Sequence, residues 1–198
     1  MKIPYSSDFE IAMHVVKSIL KNLVEYETDG IYKNVEVVLD NQSKTVNDIL
    51  YNLNRTKKGN FELSSILPIC SLKLTEISPI PEFKFQKNLK VNRQYTPIIT
   101  KLRFNGTYWS ESFRTILNIY QQLITTFDID YNVNVNYENE TVQTHIGMPT
   151  KTLQLKEEMS EDDIVYHKIE FELTISPIFV YKHKADYKQI DITVRYLN

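Results

Sequence analysis

Residues 109–137 read WSESFRTILNIYQQLITTFDIDYNVNVNY, and the reading of the fold turns on this stretch. Phe113, Leu117, Tyr120 and Ile124 recur at spacings of three and four, with Ile116, Leu123 and Phe127 beside them. That period predicts an amphipathic helix with one broad apolar stripe, and the stripe requires a sheet to cover. Part of a sheet follows at once, because Ile129, Tyr131, Val133, Val135 and Tyr137 alternate with Asp130, Asn132, Asn134 and Asn136. Period two is the signature of a half-buried strand. Ser110 is the expected helix N-cap, Glu111 the expected acidic residue of the first turn, and Trp109 a packing residue.

The rest of the chain reads as elements built around this pair. With 198 residues, 42% of them hydrophobic, there is enough chain to bury a core, and the length favours a single domain over 1–198. A net charge of -2 supplies no general attraction to nucleic acid or to an anionic membrane. No apolar run approaches the length of a membrane span, and the N-terminus lacks the apolar segment of a signal peptide. The single cysteine, Cys70, excludes an internal disulfide and a multi-cysteine metal site, and within ILPIC it reads as a small buried hydrophobe.

Toward the N-terminus, Ser7 and Glu10 have capping-box form before a helix whose face is marked by Phe9, Met13, Val16, Leu20 and Leu23, widened by Ile11, Val15 and Ile19. It extends to about Glu25, and a turn at Thr28-Asp29-Gly30 leads into a strand with Val35, Val37 and Leu39 on one face. Residues 41–60 read as a surface excursion that allows a short helix over 47–53. A strand from about Cys70 to Ile77 ends at Pro79 and Pro81. Residues 82–95 form a β-hairpin arm or a solvated loop carrying Lys84, Lys87, Lys90 and Arg93, continued by Lys101 and Arg103. The strand that holds Ile98, Leu102 and Phe104 is expected to turn at Asn105-Gly106 toward the helix.

Toward the C-terminus, 138–150 reads as a loop or hairpin tip and TLQLK, 152–156, as a short strand. An acidic loop then carries Glu157, Glu158, Glu161, Asp162 and Asp163, without the alternating ligands and bend glycine of a calcium loop. The strand HKIEFELTIS, 167–176, opposes Ile169, Phe171, Leu173 and Ile175 to Lys168, Glu170, Glu172 and Thr174. Ser176-Pro177 and KHKAD connect it to a closing strand, KQIDITVRYL.

Chemistry is sparse in this pattern. Four glycines, at 30, 59, 106 and 147, leave no Gly-rich phosphate loop or nucleophile elbow. The histidines, at 14, 145, 167 and 183, fall in different elements and form no close metal-ligand pair. Glu170 and Glu172 lie on the polar side of one strand and read as solvent-facing or interface charges. No catalytic, metal or cofactor site is expected, and the residues describe an α+β binding or assembly module.

Several stretches, in order, carry a resemblance. Tyr5-Ser6-Ser7-Asp8-Phe9 leads into a helix; Ile66-Leu67-Pro68 precedes an alternating strand with Leu72 and Leu74; Gln94-Tyr95-Thr96-Pro97 steps into a strand. Gln121-Gln122-Leu123-Ile124-Thr125-Thr126-Phe127 follows an EQILPYF-like helix end with Thr125 in place of proline, and 168–175 resembles an R-IEW-LTF-like strand. Together they resemble the tail sheath terminator family, also called tail completion or sheath stabiliser proteins, of contractile-tailed bacteriophages such as the T-even group. The departures are Ser78-Pro79-Ile80-Pro81, where that family has a basic residue in the turn, and the lack of a long C-terminal extension.

The resemblance implies an α/β terminator-like fold, a mixed and mostly antiparallel sheet with two main helices packed on it, and no enzymatic role. It further implies a homo-hexameric ring in the virion tail and neck, assembled in the host cytoplasm. The ring would cap the sheath at its head-proximal end and meet the tail sheath protein, the tube terminator and the neck or connector proteins, with no membrane and no specific nucleic acid. Ring contacts are heterologous. The basic region 84–103 and the acidic residues 157–163 are therefore expected to be complementary patches, and Gln122, which packing does not explain, is expected to tie the helix end to a neighbouring segment or subunit. The tube terminator or another neck-ring protein remains open, as does, in a different class, a nucleic-acid-binding accessory protein that uses the basic region.

Overall fold

Alternating apolar residues need a partner layer, and in the computed structural model that layer is a pair of helices on one face of a large sheet. The structure describes residues 3–4, 8–39, 67–80, 98–127, 131–137, 140–148, 153–159, 165–180 and 189–190. In chain order these form β1 (Ile3–Pro4), α1 (Asp8–Leu23), β2 (Glu25–Thr28), β3 (Ile31–Asn34), β4 (Glu36–Leu39), β5 (Ile69–Pro79), β6 (Ile98–Ser110), α2 (Phe113–Phe127), β7 (Tyr131–Tyr137), β8 (Glu140–Gly147), β9 (Gln154–Met159), β10 (Val165–Val180) and β11 (Gln189–Ile190). The main sheet has the order β4-β5-β6-β10-β8-β7, with β9 also paired to β10. All its pairings are antiparallel except that of β4 with β5. The expected fold class, a mixed and mostly antiparallel α+β sheet with two helices packed on it, is the observed one.

Cross-strand register assembles the core in rows. Val37, Cys70, Tyr108 and Ile169 lie side by side across four strands, and Leu39, Leu72, Gly106 and Phe171 form the next row. Leu74, Phe104 and Leu173 make a third. Such rows are the unit of sheet stabilisation. Against them α1 buries Ala12, Val15, Val16, Ile19 and Leu20, and α2 buries Ile116, Ile119, Leu123 and Phe127. Each fully buried aliphatic or aromatic side chain contributes about 1.5–3 kcal/mol. Ile69, Trp109 and Tyr166 point to the opposite face and form a small cluster of their own.

The stripe of α2 is rotated from its expected position. Phe113 and Leu117 remain 47% and 41% exposed, and Tyr120 and Ile124 are only partly buried. The row through Ile116, Ile119 and Leu123 takes the sheet instead, because at about 100° per residue the apolar residues spread over nearly half the circumference, wide enough for either side of the arc to seat, and packing chooses. The cap is displaced too. Ser112 Oγ, not that of Ser110, accepts the hydrogen bond from the Thr115 N–H at 3.2 Å, while Ser110 Oγ accepts from the Ser112 N–H at 3.1 Å. The helix begins at Phe113, so Glu111 lies outside its first turn.

The expected turn at Asn105-Gly106 is absent; β6 runs straight through both residues to Ser110. Gly106 is there because a Cβ at this position would run into the ring of Phe171 on the neighbouring strand. The glycine makes room for an aromatic side chain rather than for a bend. The Asp29-Gly30 turn does form, with φ of 53° and 75°, but it joins β2 to β3 in a hairpin instead of joining helix to strand. Two central residues of positive φ match the right-handed twist of paired strands. Helix α1 accordingly stops at Leu23.

Further boundaries move for the same reason, that pairing continues wherever a partner strand does. Residues 140–147, expected within a loop or hairpin tip, form β8, which pairs with β7 as the second strand of a hairpin. β5 reaches Pro79, and β10 passes through Ser176-Pro177 to Val180 with a register shift between Ile175 and Ile178, so that dipeptide is not a connection. Ile169, Phe171, Leu173 and Ile175 are buried and Cys70 is a buried hydrophobe, as expected. Ser7, the helix at 47–53, the arm at 82–95 and most of the closing strand lie outside the described residues.

Candidate partner-binding surface

Strand β10 changes neighbours along one edge, and that change shapes the helix-free face. Val165–Glu170 pairs with β9, whereas Thr174–Ser176 pairs with β8. A cleft of about 460 Å3 opens at this fork, lined by Asn105, Thr107, Gln154, Glu170 and Glu172 together with Gly106 and Phe171. Its polar groups are carboxamides, a hydroxyl and carboxylates. Thr107 lies across the register from Glu170, whose carboxylate is held by Lys156 and Lys168. Among the described residues no group of three His, Cys, Asp or Glu is placed to hold a metal ion.

Beside the cleft, side chains of β9 and β10 interlock by charge. Lys168 Nζ donates to Glu158 at 2.7 Å and approaches Glu170 at 3.3 Å, while Lys156 pairs with Glu170 from the neighbouring strand. Lys168 also stands 4.9 Å above the ring of Trp109, a cation–π distance. Burial works against the Lys168 ammonium, but its hydrogen bonds and charge attraction to Glu158 and Glu170 outweigh it, and its pKa lies above the ordinary lysine value. Burial likewise pulls Glu170 up, and the two lysines bring it below the ordinary carboxylate value. The network is held internally and is largely satisfied before any partner arrives.

Glu157 and Glu158, expected in an acidic loop, are residues of β9. Glu158 is committed to Lys168, and Glu157 points to the other face, where its carboxylate lies 3.3 Å from His167 Nδ1. Strand pairing, invisible in a run of acidic residues, put them there. Lys101 is half-buried on β6, and Arg103 is ion-paired with Glu76 at 3.2 Å. Lys84, Lys87, Lys90, Arg93, Glu161, Asp162 and Asp163 lie outside the described residues.

Gln122 has a definite place. Its Oε1 accepts from the Glu25 N–H at 3.0 Å and its Nε2 donates to the Glu25 carbonyl at 2.8 Å. The side chain thus ties α2 to the neighbouring β2–β3 hairpin within one chain, and a groove of about 300 Å3 lined by Tyr26, Glu27, Asp29, Ser112, Arg114 and Asn118 continues between the two.

Sequence reasoning missed Lys156 and Lys168 as a pair of bridging cations. The available signal was the opposite-sign alternation on two successive strands, which becomes specific only when the register places Lys168 beside Lys156 and His167 beside Glu157. It also missed that Phe113 and Leu117 face outward. Burial pushes the Cys70 thiol well above the ordinary range, against the effect of neighbouring Tyr108, so this cysteine offers no nucleophile. No protein-family model matches the chain, and no curated protein matches it.

Proposed function

We propose that the chain is a structural subunit of a ring that caps the sheath of a contractile phage tail at its head-proximal end and joins the tail to the neck. The observation that carries this reading is the ordered set of resemblances to the sheath terminator family, from Tyr5-Ser6-Ser7 to the strand at 168–175. Its most specific piece, Gln121 to Phe127, contains the glutamine that clamps the hairpin to the end of α2. A residue type unexplained by helix packing thereby acquires a role in holding a projecting element at a fixed angle, which a repeating assembly requires.

The described surface suits assembly better than catalysis. Its clefts are lined by amides, hydroxyls, carboxylates and one arginine, and the charges of Lys168, Glu158 and Glu170 neutralise one another within the subunit. In this reading the partners are further copies of the chain, the sheath protein, the tube terminator and the neck proteins, and no cofactor takes part.

Negative-stain microscopy of the purified protein, alone and mixed with the tube and sheath proteins of its phage, tests the proposal. Six-membered rings seated on one end of polymerised tails are the expected result. Rings that bind the bare tube and not the sheath would instead identify a tube terminator. A monomer that binds DNA with a steep salt dependence would replace the reading with nucleic-acid binding.

A further inference from the structure

The sequence of β7, Tyr131-Asn132-Val133-Asn134-Val135-Asn136-Tyr137, reads the same in both directions, with Asn134 at its centre. The strand also ends the main sheet. β8 lies along one of its edges in unbroken register from Tyr131 to Tyr137, and among the described residues no strand lies along the other. An antiparallel ladder uses the backbone groups of alternate residues, so those of the residues between point away from β8.

Other outer strands of the sheet carry guards. β9 has Lys156, Glu157 and Glu158 in succession. β4 is only 4 residues long and begins at Glu36, whose carboxylate is paired with Lys21 at 2.7 Å. Charge and shortness both keep an edge from recruiting another strand. β7 has 7 residues, no charge, no proline and no register shift against its neighbour. An edge left in this state is a surface for strand addition.

The palindrome identifies the added strand. When two copies of β7 run antiparallel about a twofold axis at Asn134, Tyr131 falls opposite Tyr137, Asn132 opposite Asn136, Val133 opposite Val135, and Asn134 opposite its own copy. Like then meets like at every position, which suits only side chains that complement themselves. A carboxamide both donates and accepts, and valine packs on valine, whereas a lysine or a carboxylate would be repelled by its copy. The faces agree as well. Val133 and Val135 are buried in the core on the helix-bearing side, and in this pairing the valines of both copies stay on that side. Because a twofold contact consumes the open edge of both copies, addition stops at two.

We propose that β7 pairs antiparallel with β7 of a second copy of this chain, about a twofold axis at Asn134, so that two main sheets become one. The contact goes beyond the ring reading and does not rest on it, since ring contacts are head-to-tail and this one is isologous.

Sedimentation of the full chain should show a dimer, and amide hydrogen exchange within 131–137 should slow as protein concentration rises through its dissociation constant. Asn134→Lys and Asn134→Asp each set like charges face to face on the axis and should weaken the dimer at least tenfold, with unchanged circular dichroism. An equimolar mixture of the two should restore it, which misfolded variants could not do. Asn134→Cys should form covalent dimers on mild oxidation. Asn132→Cys, which lies opposite Asn136 and not its own copy, should not, and the native Cys70 is buried. A chain that stays monomeric at the highest attainable concentration, or a dimer that Asn134→Lys leaves intact, overturns the pairing, whatever is seen of rings on tails. Protection of 131–137 that appears only when tube or sheath protein is added overturns it in favour of a foreign strand.

Discussion

Gln122 and Glu25, 97 positions apart, are joined by two hydrogen bonds that use both ends of one carboxamide: the amide oxygen accepts from the Glu25 N–H and the amide nitrogen donates to its carbonyl. A glutamine side chain here imitates a neighbouring strand. It satisfies the outward backbone groups at the base of a small hairpin that, among the described residues, pairs with no third strand, and it does so from a helix packed on the main sheet.

Replacing Gln122 by Ala should cost about 1–2 kcal/mol, since each net hydrogen bond is worth roughly 0.5–1.5 kcal/mol and the pair is partly solvated. Amide hydrogen exchange should show faster opening of 25–34 with the sheet core unchanged. Gln122→Glu should be no better than the alanine, because its carboxylate can accept from the N–H but repels the carbonyl. Unchanged exchange in the hairpin would show that the clamp does not hold it.

Gly106→Ala should destabilise the protein by about 1–3 kcal/mol or more, because the added methyl group meets the Phe171 ring in a filled core. The double variant Gly106→Ala with Phe171→Leu should recover part of the loss, and a denaturant double-mutant cycle measures that coupling. Strict additivity would mean that the ring over the glycine is not what excludes a side chain.

The corrected orientation of α2 is checked by two neighbouring alanines. Ile116→Ala should cost about 2–5 kcal/mol, as expected for a fully buried position. Leu117→Ala, measured on dilute protein, should stay within about 0.5 kcal/mol, as for an exposed site. The reverse ranking would restore the stripe expected from spacing alone.

The displaced cap makes its own forecast. Ser112→Ala removes the acceptor for the Thr115 N–H and should cost about 0.5–2 kcal/mol in thermal or urea unfolding. Glu111→Gln, outside the first turn, should have little effect.

Acid should weaken the protein partly through Glu170. Its folded pKa is depressed below the ordinary 4.5, so its contribution is fully present above that value and is lost as pH falls through the folded pKa. Lys168 works in the opposite sense: its pKa is raised above 10.5, so its contribution is present below that value and lost as pH rises through the folded one. Glu170→Gln should therefore flatten the acid limb of a plot of urea midpoint against pH and leave the shape near neutrality unchanged. An acid limb identical to that of the parent would mean the network is not what titrates.

Legibility followed the distance over which each feature is decided. The alternation of Ile169 to Ile175 and of Tyr131 to Val135, and the faces of α1, were readable because the side-chain period of a strand or helix is set by adjacent residues. Asp29-Gly30 was readable as a turn, because positive φ at both positions is a local demand. Of the candidate site, Gln122 stood out, since a polar residue at the end of an apolar helix has no local explanation. The pairing of Lys168 with Glu158 could not be read, because two charges on different strands become neighbours only through register.

The sequence by itself thus determined the class of fold and the burial pattern along β10, both consequences of short-range periodicity. The tertiary structure alone decided which flank of α2 faces the sheet, that Gly106 makes room for Phe171 instead of bending the chain, that β10 forks between β8 and β9, and that Gln122 meets Glu25. Each of these depends on residues far apart in the chain competing for the same space or the same hydrogen-bonding group, and such competition is settled only when the layers pack.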